Sequence, residues 1–179
     1  MPNLCCITIF AGRVTLKPVS SAYEADIFRE FTDEVARYTV PQPGADIGAT
    51  RAFVARSREE MERGTGLTVA VLERETGAFL GCASLHGTDT PMPEVGLWIA
   101  VGAQGRGYGC EAISALIAWA DANLRYDHIV YPVARENAPS IRLVESLGGI
   151  RTGERGVENA CGRKLDEFVY HIPKAVPVG

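Results

Sequence analysis

An apolar strand-like run passes almost directly into a loop with glycine at every second position, and an amphipathic helix pattern follows at once. The run is Glu94-Val95-Gly96-Leu97-Trp98-Ile99-Ala100-Val101, and the loop is Gln104-Gly105-Arg106-Gly107-Tyr108-Gly109. Ile113, Leu116, Ile117, Ala120 and Leu124 then recur at the spacing of one helical face. A strand this apolar belongs inside a sheet, with both faces covered. The next strand pattern, His128 to Val133, must return beside it as a parallel neighbour through a right-handed crossover. This segment alone excludes an all-helical or all-antiparallel architecture.

The flanking sequence completes a mixed sheet. Further strands are predicted at 14–17, 67–73, 78–85, 150–158 and 164–172, with a hairpin turn at Arg74-Glu75-Thr76-Gly77. Ser21 and Glu24 have capping-box spacing, which predicts a helix start at Ser21. A second helix is predicted over 49–63, with Phe53 and Met61 inward and Gly64 closing it. A last helix is predicted over 139–147, closed by Gly148 and Gly149. The expected fold is α/β (α+β): a mixed central sheet of about seven strands with helices on both faces. No linker or repeat divides the chain, so residues 12–173 read as one domain, with 1–11 as an extension and 174–179 as a tail. The apolar extension can join the sheet or a second copy of the chain, which leaves a homodimer open.

What the glycine loop can bind follows from its backbone. Glycines allow φ > 0 and let a ligand approach the N–H groups closely. N–H groups at a helix start, aided by the helix dipole, form an anion nest. Arg106 adds a formal charge. The loop lacks the lysine of an ATP-binding P-loop, and Cys110 stands where a dinucleotide fingerprint needs glycine. By itself it reads equally as a pyrophosphate cradle or a surface turn.

Composition removes other classes. A net charge of −4 with scattered basic residues gives no nucleic-acid surface. No stretch reaches the roughly 20 apolar residues of a membrane span. The five cysteines form no C-x-x-C pair, and the three histidines are far apart, so no metal site is expected. The expected location is cytoplasmic, since the N-terminus lacks the features of a secretion signal.

Four segments together are more specific than the loop alone. Gln104-x-x-Gly107-x-Gly109 resembles the coenzyme A signature of the GCN5-related N-acetyltransferase (GNAT) superfamily. Gly107-Tyr108-Gly109-Cys110-Glu111-Ala112, Glu94-Val95-Gly96-Leu97-Trp98-Ile99 and the run from Asn137 to Gly148 resemble its RimJ/RimL branch, the ribosomal-protein N-terminal acetyltransferases. The resemblance covers about residues 12 to 172. It implies transfer of an acetyl group from acetyl-coenzyme A to a primary amine, on a protein N-terminus or a small molecule. The alternative is a non-catalytic acyl-coenzyme A binding module.

The resemblance also implies roles. Gln104, Gly105, Arg106, Gly107, Tyr108 and Gly109 would hold the pyrophosphate, and the backbone of Ile99, Ala100 and Val101 the pantetheine arm, where two parallel strands splay apart. A bulge in the strand beginning at Glu94 would aim an N–H at the thioester carbonyl. Glu94 would accept the amine's proton through water or contact the amine, although an ordinary strand-start residue reads the same. Many family members carry a tyrosine acid where Val144 stands, which leaves Ser140 as candidate donor to the leaving thiolate. Asn137 would cap its helix and contact the pantetheine arm. Trp98 reads as core or cleft wall, and Glu111 as a complement to the helix dipole. His86 reads as a structural histidine. The family's phenylalanine after Leu-Gly is replaced by Gly149.

Overall fold

A computed structural model of the chain describes residues 4–158 and 162–174. Cys161 and the tail beyond residue 174 lie outside them. The strands are β1 (Ile9–Ala11), β2 (Val14–Pro18), β3 (Gly66–Glu73), β4 (Phe79–His86), β5 (Glu94–Ile99), β6 (His128–Ala134), β7 (Ile150–Glu158) and β8 (Lys164–Pro173). They form one sheet in the order β1-β2-β3-β4-β5-β6-β8-β7. Every neighbouring pair is antiparallel except β5 and β6. Seven strands were expected; the eighth is β1, from the apolar segment ahead of Gly12. It pairs with β2, and Leu4 before it is buried in the core.

Helices cover both faces. These are α1 (Glu24–Glu30), α2 (Ile47–Arg63), α3 (Tyr108–Asn123) and α4 (Ala138–Ser146). Side chains alternate along β5, so one face carries Glu94, Gly96 and Trp98 and the other Val95, Leu97 and Ile99. Trp98 meets Phe31, at the end of α1, with ring centroids 5.0 Å apart. On the opposite face a Cβ on Gly109 of α3 would lie 3.1 Å from Leu97, 3.5 Å from Ile99 and 3.6 Å from Leu143 of α4. Glycine at position 109 therefore lets α3 sit low on β5.

Several boundaries move for local reasons. The capping box at Ser21 does not form: Ser21–Tyr23 is a 3-10 turn, Ser20 precedes it without a side-chain cap, and α1 begins at Glu24. Helix α2 starts at Ile47 rather than residue 49, because Asp46 caps it by accepting from the Gly48 N–H at 2.7 Å. Gly64 closes it in the left-handed conformation, φ 73°. The run from Glu94 stops as strand at Ile99, and Val101–Ala103 is a 3-10 turn. Leu124 is the C-cap of α3. Gly149 sits so close beneath α4 that a Cβ would lie 2.7 Å from the Val144 carbonyl oxygen. A phenylalanine has no room there.

The expected bulge in β5 is absent: β5 pairs with β4 in unbroken register from Glu94 to Ile99. The irregularity lies one strand away. Val71 pairs with Gly81 and Leu72 with Phe79, so Leu80 is the extra residue. Gly81 adopts φ 151°, and a Cβ there would lie 2.2 Å from the Trp98 carbonyl oxygen. Gly81→Ala is therefore expected to destabilise the domain by about 2 kcal/mol or more, from a glycine-only backbone plus a backbone clash. A thermal melt checks this; an unchanged midpoint would show that β4 can shift away from β5.

Candidate active site

The site begins where β5 and β6 part. The two strands share one register pair, Glu94 with Val130, and the Val130 N–H donates to the Pro93 carbonyl at 2.9 Å. On the other side of β5, the Ala100 N–H donates to the Leu80 carbonyl at 2.8 Å. In an antiparallel ladder such groups alternate in direction. The backbone of Leu97 and Ile99 therefore faces β6 across the gap, with no strand opposite. Ala100 is a correction to the expected pantetheine contacts, because its carbonyl also accepts from the Ala103 N–H at 2.8 Å. That Leu97 faces the gap was not legible in the sequence, since the side to which a strand residue's N–H points depends on its neighbour strands.

The glycine loop lies beyond the end of β5. Gly105 and Gly107 have φ of 71° and 85°, and Gly107 is the N-cap of α3 without a side-chain cap. Among the described residues, the main-chain N–H groups of 105 to 110 have no acceptor. This is the unsatisfied first turn of a helix, and it fits a polyanion. The Gln104 side chain turns back to donate to the Ile99 carbonyl at 2.9 Å, tying the loop to β5. Tyr108 is buried, and its hydroxyl donates to Glu73 Oε1 at 2.6 Å, so only its backbone remains to meet a ligand.

Arg13, at the β1–β2 turn, was not legible as part of this loop. Its guanidinium donates to the Arg106 carbonyl at 2.8 Å and pairs with Glu111 at 2.5 Å. The Arg13 N–H also donates to Glu111, at 2.8 Å. The Arg13 and Arg106 guanidinium carbons lie 4.8 and 5.0 Å from the Tyr108 ring centroid. Glu111 thus carries its charge beside an anion nest because Arg13 offsets it.

On the other face of the sheet, α1, α2 and the loop between them enclose a cavity of about 450 Å³ against β4, β5 and β6. Tyr38, Val40, Phe31, Phe53 and Trp98 form its apolar wall. Across the sheet, His86 pairs with Glu94, Ser84 with Gly96 and Cys82 with Trp98. Gly96 keeps this face open, since a Cβ there would lie 2.7 Å from Ser84 Oγ. His86 Nε2 sits 3.0 Å from that same hydroxyl.

Glu94 is not alone in the cavity. Arg155, from β7, donates to both of its oxygens at 2.9 and 3.1 Å, and to Glu167 of β8 at 2.8 Å. Its hydrogen bonds to Glu94, ahead of the one to Glu167, hold the Arg155 guanidinium above its ordinary value. No local motif announced Arg155 or Glu167, which reach the site from a terminal hairpin.

The N-terminus of α4 forms the remaining edge. Asn137 caps it, accepting from the Ser140 N–H at 3.2 Å. Ser140 Oγ lies 3.1 Å from the Tyr131 hydroxyl. Tyr131 is 3% exposed, and burial pushes its hydroxyl above the ordinary value, with the Ser140 contact opposing. Asn137, Ser140, Tyr131 and Glu94 all line the one cavity. Val144 is fully buried and lies outside that lining. Among the described residues, no cluster of three or more His, Cys, Asp or Glu is placed to hold a metal. No described helix is long and apolar enough to cross a membrane.

A splayed parallel strand pair, with an open amide nest at one side and a cavity of about 450 Å³ at the other, is the frame of an acyltransferase. The acetyltransferase (GNAT) domain pattern matches residues 13–150, and the chain belongs to that acetyltransferase family. The uncharacterized N-acetyltransferase p20 of Bacillus licheniformis is 26% identical over 172 residues, covering 93% of this chain and 96% of that protein. Among solved structures, Mycobacterium smegmatis RimJ in complex with CoA-disulfide has a similar fold (TM-score 0.84, 19% identity, 97% of this chain and 90% of that one). So does spermidine N-acetyltransferase from Vibrio cholerae in complex with CoA and spermine (TM-score 0.78, 18% identity, 90% and 96%).

The Arg13 pair gives a pH prediction. The Arg13 side chain, then its backbone N–H, holds the Glu111 carboxyl below its ordinary value. Its contribution is present above the unfolded value of about 4.3 and is lost as pH falls through the lowered folded value. Glu111→Gln should lower the melting temperature at pH 7, and the difference from wild type should shrink toward pH 3. An equal difference at both pH values would mean that the charge of Glu111 contributes nothing.

Proposed function

We propose that the protein acetylates a primary amine by direct transfer from acetyl-coenzyme A, and that it lies on the RimJ/RimL side of its family. The four sequence motifs support the branch. The observation that carries the reaction is the parting of β5 and β6, beside which lie the amide nest past the end of β5 and the cavity holding Glu94.

In this reading, the free N–H groups of 105 to 110 and Arg106 hold the pyrophosphate, and Arg13 keeps the loop in shape. The open backbone of Leu97 and the N–H of Ile99, whose carbonyl accepts from Gln104, bind the pantetheine arm as an added strand would. With β5 unbulged, an N–H on this edge is the donor toward the thioester oxygen. Asn137 holds the start of α4 beside the arm. Glu94 contacts the incoming amine. Both of its oxygens already accept from Arg155, which fixes the carboxylate's direction and weakens it as a base, while leaving lone pairs for the amine. The amine's proton then leaves through water. Attack gives a tetrahedral intermediate, and its collapse expels the coenzyme A thiolate. Ser140, oriented by Tyr131, donates to that sulfur. A thiol's ordinary pKa is about 8.5, so this donation helps only modestly.

The cofactor half is tested by Gly107→Glu, which puts a side chain and a negative charge into the nest. Coenzyme A binding should be abolished in calorimetry, and unchanged affinity would remove the loop from the site. The acceptor half is tested by Glu94→Gln. It should lower kcat/KM for the amine by roughly tenfold or more, the worth of one charge-assisted hydrogen bond, with coenzyme A affinity nearly intact. Full activity would exclude Glu94. Coenzyme A binding without thiol release, across a panel of amines and peptides, would instead indicate a binding module.

A further inference from the structure

The acceptor cavity carries its charges unevenly. Glu94, Glu167 and Arg155 form one closed cluster, in which Arg155 engages both carboxylates. Its net charge is negative by one, enough for a single ammonium group. Arg56 also lines the cavity, from α2. Helix periodicity places Ala49, Phe53 and Arg56 along one stripe, and all three line the cavity. Two other arginines of α2 are paired outside it, Arg51 with Glu24 at 3.4 Å and Arg63 with Glu59 at 3.8 Å, and Arg58 does not line it. Arg56 has no hydrogen bond, ion pair or ring contact among the described residues. It is the cavity's one unpaired cation among them, at a solvent-exposed position. The glycine loop that would hold pyrophosphate contributes nothing to this lining, so Arg56 belongs to the acceptor side.

We infer that the acceptor is a small primary amine bearing a carboxylate and an apolar body, of the apolar amino-acid class, with Arg56 as the residue that selects the carboxylate. This deepens the acetyltransferase reading and rests on it. The ammonium meets the Glu94 end, the carboxylate pairs with Arg56, and Phe31, Phe53 and Trp98 cover the apolar body. A polyamine fits poorly, because a second ammonium would meet Arg56 where it needs an anion. The chemistry balances: the bound ammonium gives one proton to water, the free amine nitrogen bonds the acetyl carbon, the carbon–sulfur bond breaks, and the nitrogen's second proton goes to water as the departing thiolate takes one through Ser140. The acceptor carboxylate takes no part in bonding changes and acts only in recognition.

The test compares phenylalanine, leucine and methionine with their decarboxylated amines and with spermidine, reading thiol release from acetyl-coenzyme A. Each amino acid should exceed its decarboxylated counterpart in kcat/KM by roughly tenfold or more, as one charge-assisted pair provides. Arg56→Gln should bring that ratio close to one, and Arg56→Lys should restore part of it. Equal or better use of the decarboxylated amines or spermidine overturns the proposal, as does a preference that survives Arg56→Gln. Thermal shift of the coenzyme A complex reads the same site without turnover. There, the amino acids should stabilise the wild type and not Arg56→Gln. Stabilisation without thiol release would sink the acetyltransferase reading and keep the carboxylate site; thiol release without the amino-acid preference would do the reverse.

Discussion

Hydrogen bonding between β5 and β6 ends after a single register pair, and the architecture of the site depends on that interruption. Two adjacent strands in one sheet would normally satisfy each other's backbone along their length. Here the backbone of Leu97 and the N–H of Ile99 face the gap, and only the Ile99 carbonyl is taken, by the Gln104 side chain. A bound extended chain is one way to satisfy that backbone. The cavity lies to one side of this gap, and the glycine loop lies beyond the end of β5.

The ionic groups around this gap hold shape. Arg13 offsets Glu111, braces the Arg106 carbonyl and stacks on Tyr108, so an acidic residue persists beside an anion nest. Arg155 does the corresponding work on the other face, fixing Glu94 by two hydrogen bonds and Glu167 by one. In each case an arginine from a distant strand or turn sets the direction of a carboxylate. Arg56 breaks this pattern: its guanidinium lines the same cavity and has no partner among the described residues.

Much of the fold was legible because its signals are local. The alternation and apolarity of residues 94–99, the glycines at 105, 107 and 109, and the helical stripe after them act over a few residues. The capping box at Ser21 was local too, and it failed because a 3-10 turn occupied those residues first. The bulge was misplaced because register depends on which strands pair, and the strain went to Gly81 on β4 instead of β5. The eighth strand was left open because three residues at an edge carry too little pattern to declare themselves.

The sequence by itself determined the layered α/β class, the position of the glycine loop at the start of α3, and the candidacy of Glu94, Asn137 and Ser140. Each of these is written in spacing along one segment. Only the tertiary structure decided that Ala100 is occupied and that Leu97 faces the gap. It also brought Arg13 to the loop, Tyr131 to Ser140, and Arg155 and Arg56 to the cavity. Apart from Tyr131 and Ser140, nine residues apart, those contacts join residues distant in the chain, and all exist only once the sheet order and helix packing have brought the segments together.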